Sequence, residues 1–340
     1  MAEKAKVLVT GASGFIGSFI VSSGLERGFD VWAGMRASSS RRYLTDPRTQ
    51  FAELDLGNPA RLRSQLQAYK AAMGGWDYVV HAAGATKALH REDFFRTNTD
   101  GTRHLVEALK ALDMVPRRFV FVSSLSIFGA IREQPYPYQP IRLTDTPVPN
   151  TAYGESKLAA ERYLQAQEWL PWVILRPTGV YGPRERDYFL MAKSIRQHVD
   201  FAVGYRPQLI TFVYVDDVVQ AVYLALERDV VHEAFFLSDG QAYDSRRFSD
   251  LLQQQMGTRG VLHIKAPLWF LRAVCTVSGT VNGWLGKLTT LNMDKYHILS
   301  QRNWLCDIEP TRQRLGFEPQ WPLEKGVPAT VQWYKQEGWL

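Results

Sequence analysis

Lys6-Val7-Leu8-Val9-Thr10-Gly11-Ala12-Ser13-Gly14-Phe15-Ile16-Gly17 sets an apolar run against a glycine-punctuated turn and the start of a helical pattern. The run predicts a short buried strand. Gly11 permits a tight turn, Gly14 lets the backbone approach a pyrophosphate, and Gly17 lets the next helix pack on the strand. That helix, FIGSFIVSSGLERG, is closed by Gly28. Its N-terminus offers unpaired N–H groups and a partial positive charge to phosphates. Ser13, Phe15 and Ile16 complete the candidate cofactor-binding turn with the three glycines.

Beyond Gly28 the pattern alternates. FDVWAGMR reads as a strand, PARLRSQLQAYKAAMGG as a helix, WDYVVHAAG as a strand and NTDGTRHLVEALKAL as a helix. RRFVFVSSLSIFG, TAYGESKLAAERYLQAQ and WVILRPTGVYG continue as strand, helix and strand. This alternation belongs to α/β folds, here a Rossmann-type doubly wound parallel sheet. After about residue 178 the spacing loosens, and TFVYVDDVVQAVYLALER returns the chain to the first domain. The expected division is residues 1–177 with 209–232 as the dinucleotide-binding domain. Residues 178–208 with 233–340 then form a smaller, mostly helical substrate lobe.

Composition excludes several classes. The chain has 340 residues, 46% hydrophobic and 22% charged, with mean hydropathy −0.22. That fits one large or two moderate globular domains. A net charge of +6 would suit an acidic partner, but no dense Lys/Arg tract or binding module points to nucleic acid. Cys275 and Cys306 make neither a disulfide framework nor a metal spacing, the seven histidines are scattered, and no GxSxG elbow occurs. No metal is therefore expected. The N-terminus has no secretory pattern, and no apolar stretch reaches the length of a membrane span. Residues 267–291 come nearest but are interrupted by Arg272, Gly279, Gly283 and Gly286. A cytoplasmic location follows, with peripheral membrane contact left open for that stretch.

Tyr153-Gly154-Glu155-Ser156-Lys157 places a phenol and an amine four residues apart, on one face of a helix. A free phenol titrates near 10. A neighbouring ammonium favours phenolate and brings acid–base work within reach of neutral pH. Upstream, the strand ends in Ser123-Ser124-Leu125-Ser126-Ile127-Phe128-Gly129.

The GxxGxxG turn, this Ser-x-x-x-Phe-Gly ending and YxxxK, in that order, resemble the extended branch of the short-chain dehydrogenase/reductase superfamily. The resemblance implies that Ser124 holds the substrate oxygen, with Ser123 and Ser126 as rivals, and that Phe128 replaces a usual Tyr. Tyr153 is then the acid/base, and Lys157 also binds the nicotinamide ribose, so both count among the cofactor contacts. Asp55 and Leu56 match the pair beside the adenine, and Ala82-Ala83-Gly84 the turn beneath the cofactor. Asn98 matches a helix-opening asparagine. Arg176 to Pro183, including Pro177 and Val180, matches the nicotinamide pocket, and Val213 to Val218 the motif that ties the lobes. A homodimer through helices near 93–112 and 151–168 is also implied.

The strand Val31 to Arg36 ends without the acid that holds an adenosine ribose. Met35 stands there, followed by Arg36, Arg41 and Arg42. Guanidinium groups suit a 2′-phosphate, so NADP(H) is favoured over NAD(H). The family's dehydratases carry an acid pair where Leu125 and Ser126 stand here, which disfavours dehydration. Residues 266–291 are rich in Trp, Leu, Val and Phe, which suits a bulky lipophilic ketone or alcohol. Two other readings remain. One is a nucleotide-sugar 4-epimerase with tightly held NAD, using Arg184, Arg186, Lys193, Arg196 and Arg206 for a diphosphate. The other is a non-catalytic NADP sensor, although such proteins lose the Tyr/Lys pair kept here.

Overall fold

The computed structural model describes residues 4–284, 289 and 291–340; Gly286, and with it part of the stretch 266–291, lies outside the described residues. Seven strands form one sheet: β1 (Lys6–Thr10), β2 (Asp30–Met35), β3 (Gln50–Glu53), β4 (Tyr78–His81), β5 (Arg118–Val122), β6 (Trp172–Pro177) and β7 (Glu233–Leu237). Their spatial order is 3-2-1-4-5-6-7, and every pairing is parallel. β5 and β6 are buried along their whole length, as expected of parallel strands covered on both faces. Alternate side chains divide between two cores. Val7, Val9, Val173 and Leu175 pack under helices Phe15–Glu26 and Val215–Glu227. Leu8, Phe121 and Ile174 pack under helices Pro59–Met73, Gly101–Ala111 and Ala152–Gln165 on the other face. Each such side chain contributes about 1.5–3 kcal/mol relative to exposure.

The structure adds two strands to the sequence pattern. β3 is four residues at the sheet edge with only Ala52 buried, so it carries almost no apolar signal. β7 lies in the segment that the sequence assigns to the substrate lobe, yet it pairs with β6 over five residues. The chain's return to the first domain thus extends through Leu237 rather than stopping at residue 232. Conversely, the segment WVILRPTGVYG is not one strand. Gly179–Tyr181 leaves the main sheet and pairs with Phe212–Tyr214, which carries the chain into the second lobe.

That lobe is built on helices Asp187–Arg196, Arg247–Met256, Leu268–Trp284, Met293–Ser300 and Leu323–Gln336, with short strand pairs between them. Asp217 ties it to the first domain by accepting the N–H groups of Gln320 (2.8 Å) and Trp321 (3.0 Å). Among the described residues no helix is long and apolar enough to cross a membrane. The strand order reverses between β1 and β4, and a crevice opens outside the carboxyl ends of the strands at that point.

Candidate active site

A cavity of about 1360 Å³ occupies this crevice and runs on into the second lobe. It is lined by Gly11, Ser13, Gly14, Phe15, Ile16 and Gly17 from the first turn. Gly11 has φ +68°, and a Cβ there would stand 2.7 Å from the Ala83 backbone. At Gly17 a Cβ would come within 2.2 Å of the Gly11 carbonyl oxygen. These close approaches explain why the turn needs glycine. Gly17→Ala is expected to cost upwards of about 3 kcal/mol, because rigid backbone rather than a side chain must yield. Chemical denaturation checks this, and a variant as stable as the parent would refute it.

Further along lie Asp55, Leu56, Ala82, Ala83 and Gly84, then Ser124, Tyr153, Lys157, Pro177 and Val180. The candidate residues come together with two exceptions. Arg36 lines the cavity, but Arg41 and Arg42 do not. Arg41 packs its guanidinium over the Phe51 ring (4.0 Å), and Arg42 lies 3.7 Å from Glu337. Arg36 has no ion pair among the described residues, and Ser39 beside it also lines the cavity.

The candidate catalytic set rests on the helix Ala152–Gln165, capped by Thr151, whose hydroxyl accepts the Gly154 N–H at 3.0 Å. Ser124 ends an extended segment and caps the short turn Leu125–Ile127, accepting the Ser126 N–H at 3.1 Å. Its hydroxyl donates to Ser126 Oγ (3.1 Å) and faces the Tyr153 phenol closely enough to pull its titration down. This influence on the phenol distinguishes Ser124 from Ser123 and Ser126, which line the same wall. Burial pushes Tyr153 up to about 12 against the pull of Ser124. Lys157 does not lower it in this arrangement. Its Nζ donates to the Val122 carbonyl (2.8 Å) and sits over the Phe121 ring (4.7 Å). Burial brings this amine down to about 8, opposed by Glu161.

Two supports of this set are less visible in the sequence. Chain segment Phe95–Asp100 widens into a π-helical turn, a distortion often found at functional sites. It buries Asn98, whose amide donates to Ser156 Oγ (2.9 Å) and Ala85 O (3.1 Å) and accepts the Ala85 N–H (2.7 Å). Asn98 thereby fixes the catalytic helix to the turn after β4. One turn beyond Lys157, Glu161 receives a buried fork from Arg176 on β6, with Nη2–Oε2 2.7 Å and Nε–Oε1 3.1 Å. Phe128, at the usual Tyr position, is fully buried against Phe236 and beneath the Arg176 guanidinium. His81 is a packed strand residue. It bonds Thr10 and Thr102, and burial holds it neutral, down to about 3.

The residues present fit a dinucleotide. The glycine turn leaves room for backbone contact with a pyrophosphate, and at Gly84 a Cβ would meet Asn98 Oδ1 (3.1 Å) and Lys157 Nζ (3.2 Å). Ser123 Oγ is buried on the cavity wall with no hydrogen-bond partner among the described residues, a group that awaits a polar ligand atom.

A parallel sheet with a glycine turn and a Ser-Tyr-Lys set around one cavity is the frame of a nicotinamide-dependent enzyme. Residues 7–237 match the NAD dependent epimerase/dehydratase family, and the chain belongs to it. It is an NAD(P)-dependent oxidoreductase of the extended short-chain dehydrogenase/reductase type. A ceramide reductase of Caulobacter vibrioides is 26% identical over 98% of this chain and 96% of its own length. A 3 beta-hydroxysteroid dehydrogenase/Delta 5-->4-isomerase of Mycobacterium tuberculosis is 23% identical over 98% and 91%. The solved UDP-glucose 4-epimerase of Thermotoga maritima superposes with a TM-score of 0.76 at 23% identity, covering 98% of this chain and 99% of that one. This last likeness is one of fold.

Proposed function

We propose that this enzyme interconverts a ketone and a secondary alcohol on a bulky, lipophilic substrate with NADP(H). The observation that carries the reading is the lining of the cavity beyond Tyr153. Met191, Phe201, Ile210, Phe248, Leu299 and Trp304 form its walls, with Glu185, Asp187 and Asp200 among the polar groups. None of the five basic residues available for a nucleotide-sugar diphosphate lines it. Arg184, the nearest in sequence to the pocket motif, lies over the Phe19 ring (4.3 Å) and donates to Ser18 Oγ (2.8 Å). On that wall Lys295 is the cation, and it already lies 3.9 Å from Asp187, so a diphosphate would meet mainly carboxylates and apolar side chains, at a desolvation cost one shared ammonium offsets poorly. Ceramide and 3 beta-hydroxysteroids, named for two relatives, are lipophilic molecules of the size such a cavity takes.

Bound NADPH would supply a hydride to the carbonyl carbon. Tyr153 donates its proton to the carbonyl oxygen as that carbon is reduced, and Ser124 hydrogen-bonds the same oxygen. Lys157 would hold the nicotinamide ribose from the cavity wall, and the proton returns to Tyr153 from solvent. In the reverse direction Tyr153 removes the hydroxyl proton. Asn98 and the Arg176–Glu161 pair position the set without touching the substrate.

The test is turnover of long-chain 3-keto lipids and ketosteroids with NADPH, beside epimerisation of UDP-sugars. Reduction of either lipid class supports the reading, and epimerisation alone would overturn it. For the cofactor, Arg36→Ala should weaken NADPH binding about 10- to 100-fold, the worth of a charge-assisted hydrogen bond. NADH binding should change little, since only NADPH carries the extra phosphate. Equal losses in titrations of both would remove Arg36 from the 2′-phosphate site. The same reading takes the working unit as a cytoplasmic homodimer joined through helices Gly101–Ala111 and Ala152–Gln165, and a monomer by sedimentation under assay conditions would count against it.

A further inference from the structure

Acidic residues number 34 in 340, yet none occurs between Asp250 and Asp294, the longest acid-free run in the chain. Arg259, Lys265, Arg272 and Lys287 fall inside it. Its described residues include the strand Leu262–Ala266, paired with Val199–Val203, and the helix Leu268–Trp284 that follows. On that helix Trp269, Ala273, Val277, Val281 and Trp284 recur at the spacing of one face, and all are exposed. The two tryptophans at its ends are 72% and 86% exposed. Leu271 and Cys275, on the opposite side, are buried. The adjoining strands add exposed Phe201, Leu262 and Ile264.

This face reaches the cavity. Phe201, Leu190 and Leu291 are each exposed and each line the cavity as well. Exposed Lys193, Arg196, Lys265 and Arg272 lie on the same elements, and Lys265 stands over the exposed Tyr205 ring.

We propose that this face docks on an anionic lipid bilayer, with the helix lying in the plane of the interface and the cavity opening toward the lipid. A long apolar helical face between terminal tryptophans, flanked by cations, is the pattern of an interfacial helix. Charge decides the occupant. A second copy would bring cations against cations: the acid-free run supplies no carboxylate, Asp187 is paired with Lys87, and Asp200 is buried against Ser249 and His263. A bilayer of anionic headgroups meets every cation, at about 1 kcal/mol for each near the surface. That the substrate enters from the bilayer rests on the lipophilic-substrate reading; the docking itself does not.

The test is co-sedimentation of the full chain, loaded with NADPH, with vesicles of phosphatidylcholine alone or mixed with phosphatidylglycerol at physiological ionic strength. Binding to the anionic vesicles should exceed binding to the neutral ones at least about tenfold. Trp269→Ser with Trp284→Ser, and separately Lys265→Glu with Arg272→Glu, should each lower it by at least about tenfold. NADPH titration of both double variants checks that they fold. Absence of anionic-vesicle binding by the parent, or binding untouched by either pair, would overturn the proposal. So would a dimer in light scattering that the tryptophan pair dissociates while vesicles stay unbound. Vesicle binding by an enzyme that reduces no lipid ketone would sink the substrate reading and leave the docking standing.

Discussion

Tyr153→Phe should bind NADPH as the parent does and lose turnover by about 10²- to 10⁴-fold, the usual worth of a positioned acid–base group. The ring would stay in place, since Tyr153 packs edge-on against Phe94 with centroids 6.2 Å apart, and phenylalanine keeps that contact. What disappears is the proton. With the phenol pushed up to about 12, Tyr153 is protonated throughout the physiological range and stands ready as an acid. Ketone reduction should therefore hold its rate from neutral pH upward and fall only as the phenol itself loses its proton toward 12. Alcohol oxidation, which uses the phenolate, should rise with pH toward the same value. Steady-state rates of the variant with saturating cofactor are the check, and undiminished turnover would take Tyr153 out of the mechanism.

Lys157→Met should abolish most turnover and yet raise the melting temperature. The amine titrates at 10.5 when free and at about 8 in the folded chain. Folding therefore weakens proton binding, and between those values the folded chain holds fewer protons than the unfolded one. The group's contribution is most favourable above 10.5 and is lost as pH falls through 8. At pH 7 the full cost is present, roughly 3 kcal/mol. Methionine removes that cost and packs on Phe121. The Val122 carbonyl loses its donor, returning about 1 kcal/mol. A net gain of about 2 kcal/mol should raise the melting temperature by several degrees. The gap between variant and parent should close as pH rises toward 10.5. Calorimetry from pH 7 to 10 decides, and a variant less stable than the parent at pH 7 would show that the lysine stabilises the fold.

The glycine turn and the helix bearing Tyr153 and Lys157 were legible because local chemistry dictates them. Positive φ at Gly11 and the close approach at Gly17 need glycine wherever the turn occurs, and helical spacing puts Lys157 one turn from Tyr153. The buried strands β5 and β6 announced themselves as apolar runs. β3 and β7 did not, because a four-residue edge strand has little to bury and β7 is separated in sequence from the strand it joins. Among the arginines the sequence offered Arg36, Arg41 and Arg42 alike. Only tertiary packing on Phe51 and beside Glu337 tells the latter two from Arg36. Spacing could place Glu161 near Lys157 but could not pair it with Arg176 from another element. The clearest overlooked signal was the missing acid between Asp250 and Asp294, which needed only a count.

Glu161 lies one helical turn from Lys157, and its two oxygens are both taken by the Arg176 guanidinium. The carboxylate is thus committed to Arg176 rather than to Lys157. With Nζ otherwise bonded to a carbonyl, which accepts no proton at these pH values, the exit runs through the cavity that Lys157 lines. Whatever fills that cavity stands between the lysine and bulk solvent. Ligand binding therefore sets the rate at which Lys157 exchanges its proton with the buffer.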